Sequence, residues 1–392
     1  IMPNIKSNNL IVFYFTLALP ITFLIGSMFV NIIAVTISLY TLIWIFKFKK
    51  YSIFFNKPYN YLFLLFILFI ISSIFSKYKL TAFENSFFYL SSILFFISLN
   101  LFIFSNHERL LLISKLVLIL VIFICVDLWF QRIIGVNLIG YPTQQAARLT
   151  SFFGDEQIPG SFVFKLSPFV IYYLFNQKKN KHLISFRITI LIFIYFSILI
   201  TGERAASILS TIVILLLLFL NFKDLDKNKM LKYLLLFSII LFSLFSFKNS
   251  VIKERFYYTF EQAQNNVYIS YYSNSLDILQ KNIFWGTGPQ TYRYECQNVS
   301  NICSTHPHNF AFELLSDTGI FSLIIFIIAL YSVIINKFKT IKNKFNRSII
   351  LIFTLLFFFP LIPTGSFFTS FHMTLTWFSL GFIYSIKDKY ID

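Results

Sequence analysis

Residues Leu110–Phe130 read Leu-Leu-Leu-Ile-Ser-Lys-Leu-Val-Leu-Ile-Leu-Val-Ile-Phe-Ile-Cys-Val-Asp-Leu-Trp-Phe. Lys115 and Asp127 are the only charges in this run. A stretch of about 20 apolar residues is long enough to cross a bilayer as a helix. In lipid the backbone has no water to bond to, so such a segment must satisfy its N–H and C=O groups internally. Similar runs centre near residues 18, 37, 67, 95, 120, 168, 194, 212, 240, 327, 354 and 376. The pattern predicts an all-α polytopic membrane protein of about twelve transmembrane helices. Residues 1–392 form a single integral membrane domain in this reading, and residues 248–307 form one large outer loop between helices nine and ten.

Composition supports the same class. Hydrophobic residues are 57% of the 392, charged residues are 12%, and Phe occurs 54 times. Soluble domains average about 25% charged residues, so a soluble enzyme, a nucleic-acid module and a disordered chain are all excluded. The formal net charge of +17 is read as a topology signal rather than as a nucleic-acid footprint. No cleavable signal peptide is expected. The first apolar run, from about Leu10, leads directly into the second with no small-residue cleavage site between them.

Cytoplasmic loops carry the excess of Lys and Arg. With the N-terminus inside, Lys47, Lys49, Lys50, Lys57, Lys178, Lys179, Lys181, Lys223, Lys227, Lys229, Lys232, Lys337, Lys339, Lys342, Lys344, Lys387 and Lys389 all fall on the inner side. Both termini are therefore expected in the cytoplasm. Arginine departs from this rule: Arg132, Arg148, Arg204, Arg255 and Arg293 fall on the outer side. Arginine is the better planar, bidentate ligand for phosphate, so an anion site on the outer face is one reading. Chance is the other.

Three outer places stand out. The stretch 131–160 carries Arg148-Leu149-Thr150-Ser151-Phe152-Phe153-Gly154-Asp155 and reads as an ordered loop; its bland alternative is a plain connection. The turn Thr201-Gly202-Glu203-Arg204-Ala205-Ala206-Ser207 sets two charges at the membrane boundary, where an unpaired charge is costly; a local ion pair is the alternative to a site. The long loop contains two segments able to form short interfacial helices, Arg255–Gln264 and Tyr272–Lys281, then the turn Trp285-Gly286-Thr287-Gly288-Pro289. Cys296 and Cys303 follow, and are a disulfide candidate in an oxidising compartment. No usual zinc spacing is present. The loop ends in Thr305-His306-Pro307-His308-Asn309-Phe310-Ala311-Phe312-Glu313. Histidine is a general base near neutral pH, and a helix start suits an anion. Helix capping by the histidines is the structural alternative. Tyrosines crowd the loop, either as an interfacial belt, the favoured reading for most of them, or as sugar-stacking rings.

From about Arg148 to Phe326 the chain resembles the O-antigen ligase and O-antigen polymerase superfamily. The resemblance rests on His306-Pro307-His308-Asn309, Glu313 and Asp317-Thr318-Gly319, on Trp285-Gly286-Thr287-Gly288, on Thr201-Gly202-Glu203-Arg204, and on Arg148-Leu149-Thr150-Ser151-Phe152. Position 322 is serine where the ligase pattern has its second glycine. Tyr268-Ile269-Ser270-Tyr271-Tyr272-Ser273 stands where many relatives carry an arginine and a tryptophan.

The resemblance implies an inverting glycosyltransferase of the bacterial inner membrane with a periplasmic active site. Its donor is a polyprenyl-diphosphate-linked glycan, and its acceptor is lipid A–core (a ligase) or a second lipid-linked glycan (a polymerase). It implies no nucleotide sugar, cofactor, metal or nucleic-acid partner. His308, Arg204 and Arg148 are the expected catalytic residues. Arg255, Arg293, Asn309, His306 and Glu313 are the expected substrate-binding residues. The His-Asn spacing to Gly319 leans towards ligase. A transporter for lipid-linked sugars is the rival from another class. It is disfavoured because the polar candidates gather on the outer face rather than at mid-membrane.

Overall fold

The computed structural model describes residues 10–143, 148–176, 181–221, 266–360 and 362–388. Every regular element among them is helical. The long helices are α1 (Leu10–Ile25), α2 (Ser27–Lys47), α3 (Tyr59–Phe75), α4 (Lys79–Ser98), α5 (His107–Ile134), α6 (Pro159–Phe175), α7 (Lys181–Ile200), α8 (Arg204–Asn221), α9 (Val267–Lys281), α10 (Phe310–Thr340), α11 (Lys344–Leu356) and α12 (Ser370–Ser385). A helix lies at every expected centre except that near residue 240, which is outside the described residues. The predicted Tyr272–Lys281 helix is part of α9, which begins earlier because Asn266 caps it, accepting from the Tyr268 N–H. The predicted Arg255–Gln264 helix lies outside the described residues.

By length and hydropathy, Ser27–Lys47, Lys79–Ile103, His107–Ile134 and Phe310–Thr340 are able to cross a membrane. The stretches Leu10–Ile25, Tyr59–Phe75, Phe186–Ile200 and Arg204–Leu217 are apolar but shorter. A 17-residue helix such as α3 reaches only about 25 Å, against a hydrocarbon core of about 30 Å.

The chain divides into two compact units. The first comprises residues 1–110, 265–342 and 354–387, and the second 111–264, 343–353 and 388–392. In the first, α4 packs on α2, α3 and α12, and α10 packs on α3 and α9. Its interior is an aromatic lattice. Phe69 meets Tyr89 at 4.8 Å, Phe96 meets Trp377 at 5.4 Å, and Phe326 meets Phe358 and Phe367 at 4.9 and 5.2 Å. Such pairs add about 0.5–1.5 kcal/mol each beyond the area they bury. Serine hydroxyls bridge helices within it: Ser73 and Ser86 share a 2.9 Å bond, and Ser38 donates to the Ser91 carbonyl at 2.6 Å. In the second unit α6, α7 and α8 pack together, Tyr195 meets Thr211 at 2.8 Å, and the Trp129 indole donates to Ser197 at 3.1 Å. Apolar side chains remain on the outside, including Ile43 of α2 and Phe219 of α8, as a lipid-facing surface requires.

Candidate functional site

Helix α10 starts at Phe310 because Asn309 caps it. The Asn309 Oδ1 accepts from the N–H groups of Ala311 at 3.0 Å and Phe312 at 3.5 Å, while its Nδ2 donates to the Pro360 carbonyl at 2.6 Å. The cap is therefore Asn309, and neither histidine fills that role. Its amide serves the helix start. One residue earlier, His308 holds φ at +54°. A left-handed backbone is uncommon outside glycine and persists only where neighbours hold it. Thr364 supplies that hold: its N–H donates to the His308 carbonyl at 2.7 Å, and its hydroxyl accepts from the Phe310 N–H at 3.0 Å.

The two imidazoles lie side by side, with ring centroids 4.1 Å apart. The His308 Nε2 shares a 3.0 Å bond with the Ser304 hydroxyl, and the His306 Nδ1 shares one of 3.2 Å with Thr305. The His306 Nε2 is buried with no well-formed bond, only a weak approach to the Thr364 backbone. Burial lowers the His308 pKa below the usual histidine value. Burial, then His308, then the Arg293 guanidinium push His306 down to about 3. Both rings are thus neutral at pH 7, the state in which an imidazole accepts a proton. Rings from α9 enclose His308: Tyr271 lies 5.6 Å away and inclined by 31°, and Tyr268 lies 5.5 Å away and nearly perpendicular. Tyr272 stacks flat on Phe312 at 4.5 Å. The tyrosines at 268, 271 and 272 are therefore packed on the head of α10.

Glu313 is fully buried and ties this head to the chain before α12. Its carboxylate accepts from the Ser366 hydroxyl at 2.5 Å and the Phe367 N–H at 2.6 Å. Arg293 lies within electrostatic range of His306, Glu313 and Asp317, and its Nε is buried without a hydrogen-bond partner. Asp317 accepts from the Tyr292 N–H at 2.9 Å.

Two turns marked in the sequence form one joint. Gly319 breaks α10 at φ 78°, ψ 177°. This frees carbonyls that a continuous helix would occupy, and the 286–288 turn occupies them instead. The Thr287 N–H donates to the Ser316 carbonyl at 3.1 Å, the Gly288 N–H to that of Asp317 at 2.7 Å, and the Ile320 N–H to that of Ile283 at 2.9 Å. A Cβ on Gly319 would collide with the Phe284 carbonyl, and one on Gly286 with the Asp317 backbone. Both glycines are needed because two backbones meet there.

Cys296 and Cys303 are joined in a disulfide with Cα atoms 5.8 Å apart. Cys296 packs against Ile278 of α9 and Tyr292. Asn274 of α9 donates to the Ile302 carbonyl at 2.9 Å, and Lys281 pairs with Glu295 at 2.8 Å. The cross-linked loop is thus fastened to the helix that carries the tyrosines.

The second unit holds Arg148 and the 201–204 turn. Glu203 sits at the start of α6 and accepts from the Gly160 N–H at 2.6 Å, the Ser161 N–H at 3.0 Å and the Ser161 hydroxyl at 2.6 Å. A carboxylate there satisfies helix-end donors and suits the dipole. Burial raises its pKa, and the Ser161 and Gly160 bonds and then Arg148 oppose that rise. Arg148 donates to the Gln157 carbonyl at 3.1 Å, and the Leu149 N–H reaches the Thr201 carbonyl at 3.3 Å. Asp127 and Gln131, at the end of α5, anchor the loop: Asp127 accepts from the Ser151 hydroxyl at 2.6 Å, and Gln131 from the Ser151 N–H at 2.9 Å. Arg204 begins α8.

The first unit therefore brings together His306, His308, Asn309, Arg293 and Glu313. Arg148 and Arg204 lie in the second unit, and Arg255 is outside the described residues. Ser304, Thr364, Ser366 and the Pro360 carbonyl were not legible as parts of the site. They carry no motif, and three of them come from a segment about fifty residues further along the chain.

No curated protein matches the chain. Residues 188–327 match the family model described as O-antigen ligase. This stretch is about a third of the chain. It contains Arg204, Arg293, the two histidines, Asn309 and the Gly319 joint. By that match this stretch is similar to the O-antigen ligase family, which supports the resemblance to the O-antigen ligase and polymerase superfamily.

Proposed function

We propose that this protein is an O-antigen ligase-like glycosyltransferase, moving a polyprenyl-diphosphate-linked glycan onto lipid A–core at the periplasmic face of the inner membrane. The observation that carries this reading is His308: a neutral imidazole at a helix head, held in a left-handed backbone, inside the family segment. His308 takes the proton of the acceptor hydroxyl as that oxygen attacks the anomeric carbon. The diphosphate departs from the opposite side, which inverts the centre. Arg204 and Arg148 meet the negative charge growing on the leaving group, and Arg293 and Arg255 assist in binding the donor. His306 adds a second polar contact for substrate. Asn309 and Glu313 act through the backbone they fix. The transfer uses no metal, so a chelator leaves the rate unchanged.

The test is glycan transfer from a lipid-linked donor by membranes holding equal amounts of wild-type protein and His308→Ala. The variant is expected to lose about 10²- to 10⁴-fold in rate, and a near-normal rate would overturn the base role. Lipopolysaccharide from a strain lacking the gene should show bare core, with long glycan stranded on its carrier. Core bearing a single repeat unit would mean that the acceptor is another lipid-linked glycan and the enzyme a polymerase. An unchanged ladder would overturn both readings and favour transport.

A further inference from the structure

We infer that His308 accepts the acceptor's proton at Nδ1, and that Ser304, Tyr268 and Tyr271 are positioning residues holding the ring with Nε2 turned away from substrate. The inference rests on the transferase reading above. A neutral imidazole has one N–H and one lone pair, so the choice of nitrogen decides where the hydroxyl must sit. Nε2 is engaged by the Ser304 hydroxyl at 3.0 Å. Among the described residues Nδ1 has no hydrogen-bond partner and is not buried. Nδ1 is therefore the nitrogen a substrate reaches. For it to be basic the proton must lie on Nε2, which then donates to Ser304.

Ring packing holds this orientation. Tyr268 and Tyr271 are three residues apart on α9, on one helix face, and His308 meets Tyr271 at 31° and Tyr268 at 79°. His306 closes a third side at 4.1 Å. Helix α9 is itself fixed, through Asn274 to the Ile302 carbonyl and through the Tyr292 hydroxyl to the Tyr271 carbonyl at 3.3 Å. A serine orients the ring without adding the charge that a carboxylate partner would, and so leaves it neutral. In the step itself, the acceptor O–H bond breaks and its proton moves to Nδ1. The oxygen's electron pair forms the bond to the anomeric carbon. The bond from that carbon to the diphosphate oxygen breaks, and the diphosphate leaves with the electron pair.

The sequence has five histidines, few enough to resolve by ¹⁵N NMR of histidine-labelled full-length protein in bilayers. His308 is assigned by the signals lost in His308→Gln. We expect a neutral ring protonated at Nε2. A ring protonated at Nδ1 would overturn the assignment, whether or not transfer is detected. Kinetics then test positioning. Ser304→Ala is expected to lower kcat about tenfold with KM unchanged, and Ser304→Thr, which keeps the hydroxyl, to recover most of it. Tyr271→Leu lowers kcat and Tyr271→Phe recovers part. A rise in KM with kcat retained would make the tyrosines acceptor contacts and overturn the positioning role. An Nε2–H ring in protein that transfers no glycan would leave the proton placement standing and sink the transferase reading instead.

Discussion

His308 and His306 differ in what surrounds them, and that difference sets their pH behaviour. His308 is lowered by burial alone, whereas His306, beside Arg293, lies at about 3. A base whose pKa is depressed stays in its working, neutral form to lower pH than a free histidine, whose pKa is about 6.5. Transfer should therefore hold its rate as pH falls from 8 through 6.5, and decline only below that. Initial rates between pH 5 and 8, with membranes at constant ionic strength, check this. A decline centred at or above 6.5 would mean that His308 is solvated rather than buried. The histidines were visible in the sequence as chemistry, but their neutrality was not, because it comes from burial and from Arg293, some thirteen residues earlier in the chain.

Helix α10 is two legs joined at Gly319, and its head is stitched to the segment before α12. Both features can be tested separately. Gly319→Ala places a side chain against the Phe284 carbonyl in a left-handed position. The left-handed conformation alone costs roughly 1–2 kcal/mol, and the backbone must also move. The variant should show a clearly lower melting temperature in detergent, along with lost transfer. Thr364→Val removes the hydroxyl that accepts from the Phe310 N–H. An unsatisfied buried donor costs about 1–3 kcal/mol, and the left-handed His308 loses one of its two ties. Protein should accumulate normally while kcat falls. Full activity in Thr364→Val would show that the His308 backbone needs no such tie. The glycines were legible as turns, but their joining was not. No local pattern says that the 286–288 turn will occupy carbonyls some thirty residues later.

At the scale of the molecule, the disulfide and the charge pattern bear on orientation. A disulfide persists in an oxidising compartment, and residues 337–344, from the last turn of α10 into the start of α11, are rich in lysine. Cys303, once its disulfide is reduced, should react with a membrane-impermeant maleimide added to intact spheroplasts, while Cys125, buried in α5, and Cys296, equally buried, should not. Labelling only after the membrane is broken would place the loop in the cytoplasm and reverse the topology. Helix association in lipid relies on packing and on interhelical bonds of about 0.6 kcal/mol each. Ser73→Ala, which loses one such bond to Ser86, should therefore shift thermal stability only slightly.

The sequence by itself determined the all-helical, apolar class, the positions of the described helices, the cysteine pair and the histidine motif. These depend on local runs and local chemistry: apolar length sets a span, and residue type sets a function. Tertiary structure decided which residues support that motif. Ser72 donates to the Asp317 carbonyl across 245 positions, Ser366 reaches Glu313 across 53, and Tyr271 lies against a histidine far along the chain. Serine, threonine and tyrosine are common in such a chain and have no spacing rule to mark them. Their roles exist only because folding brings distant backbone and rings to one helix head, where burial makes each bond matter.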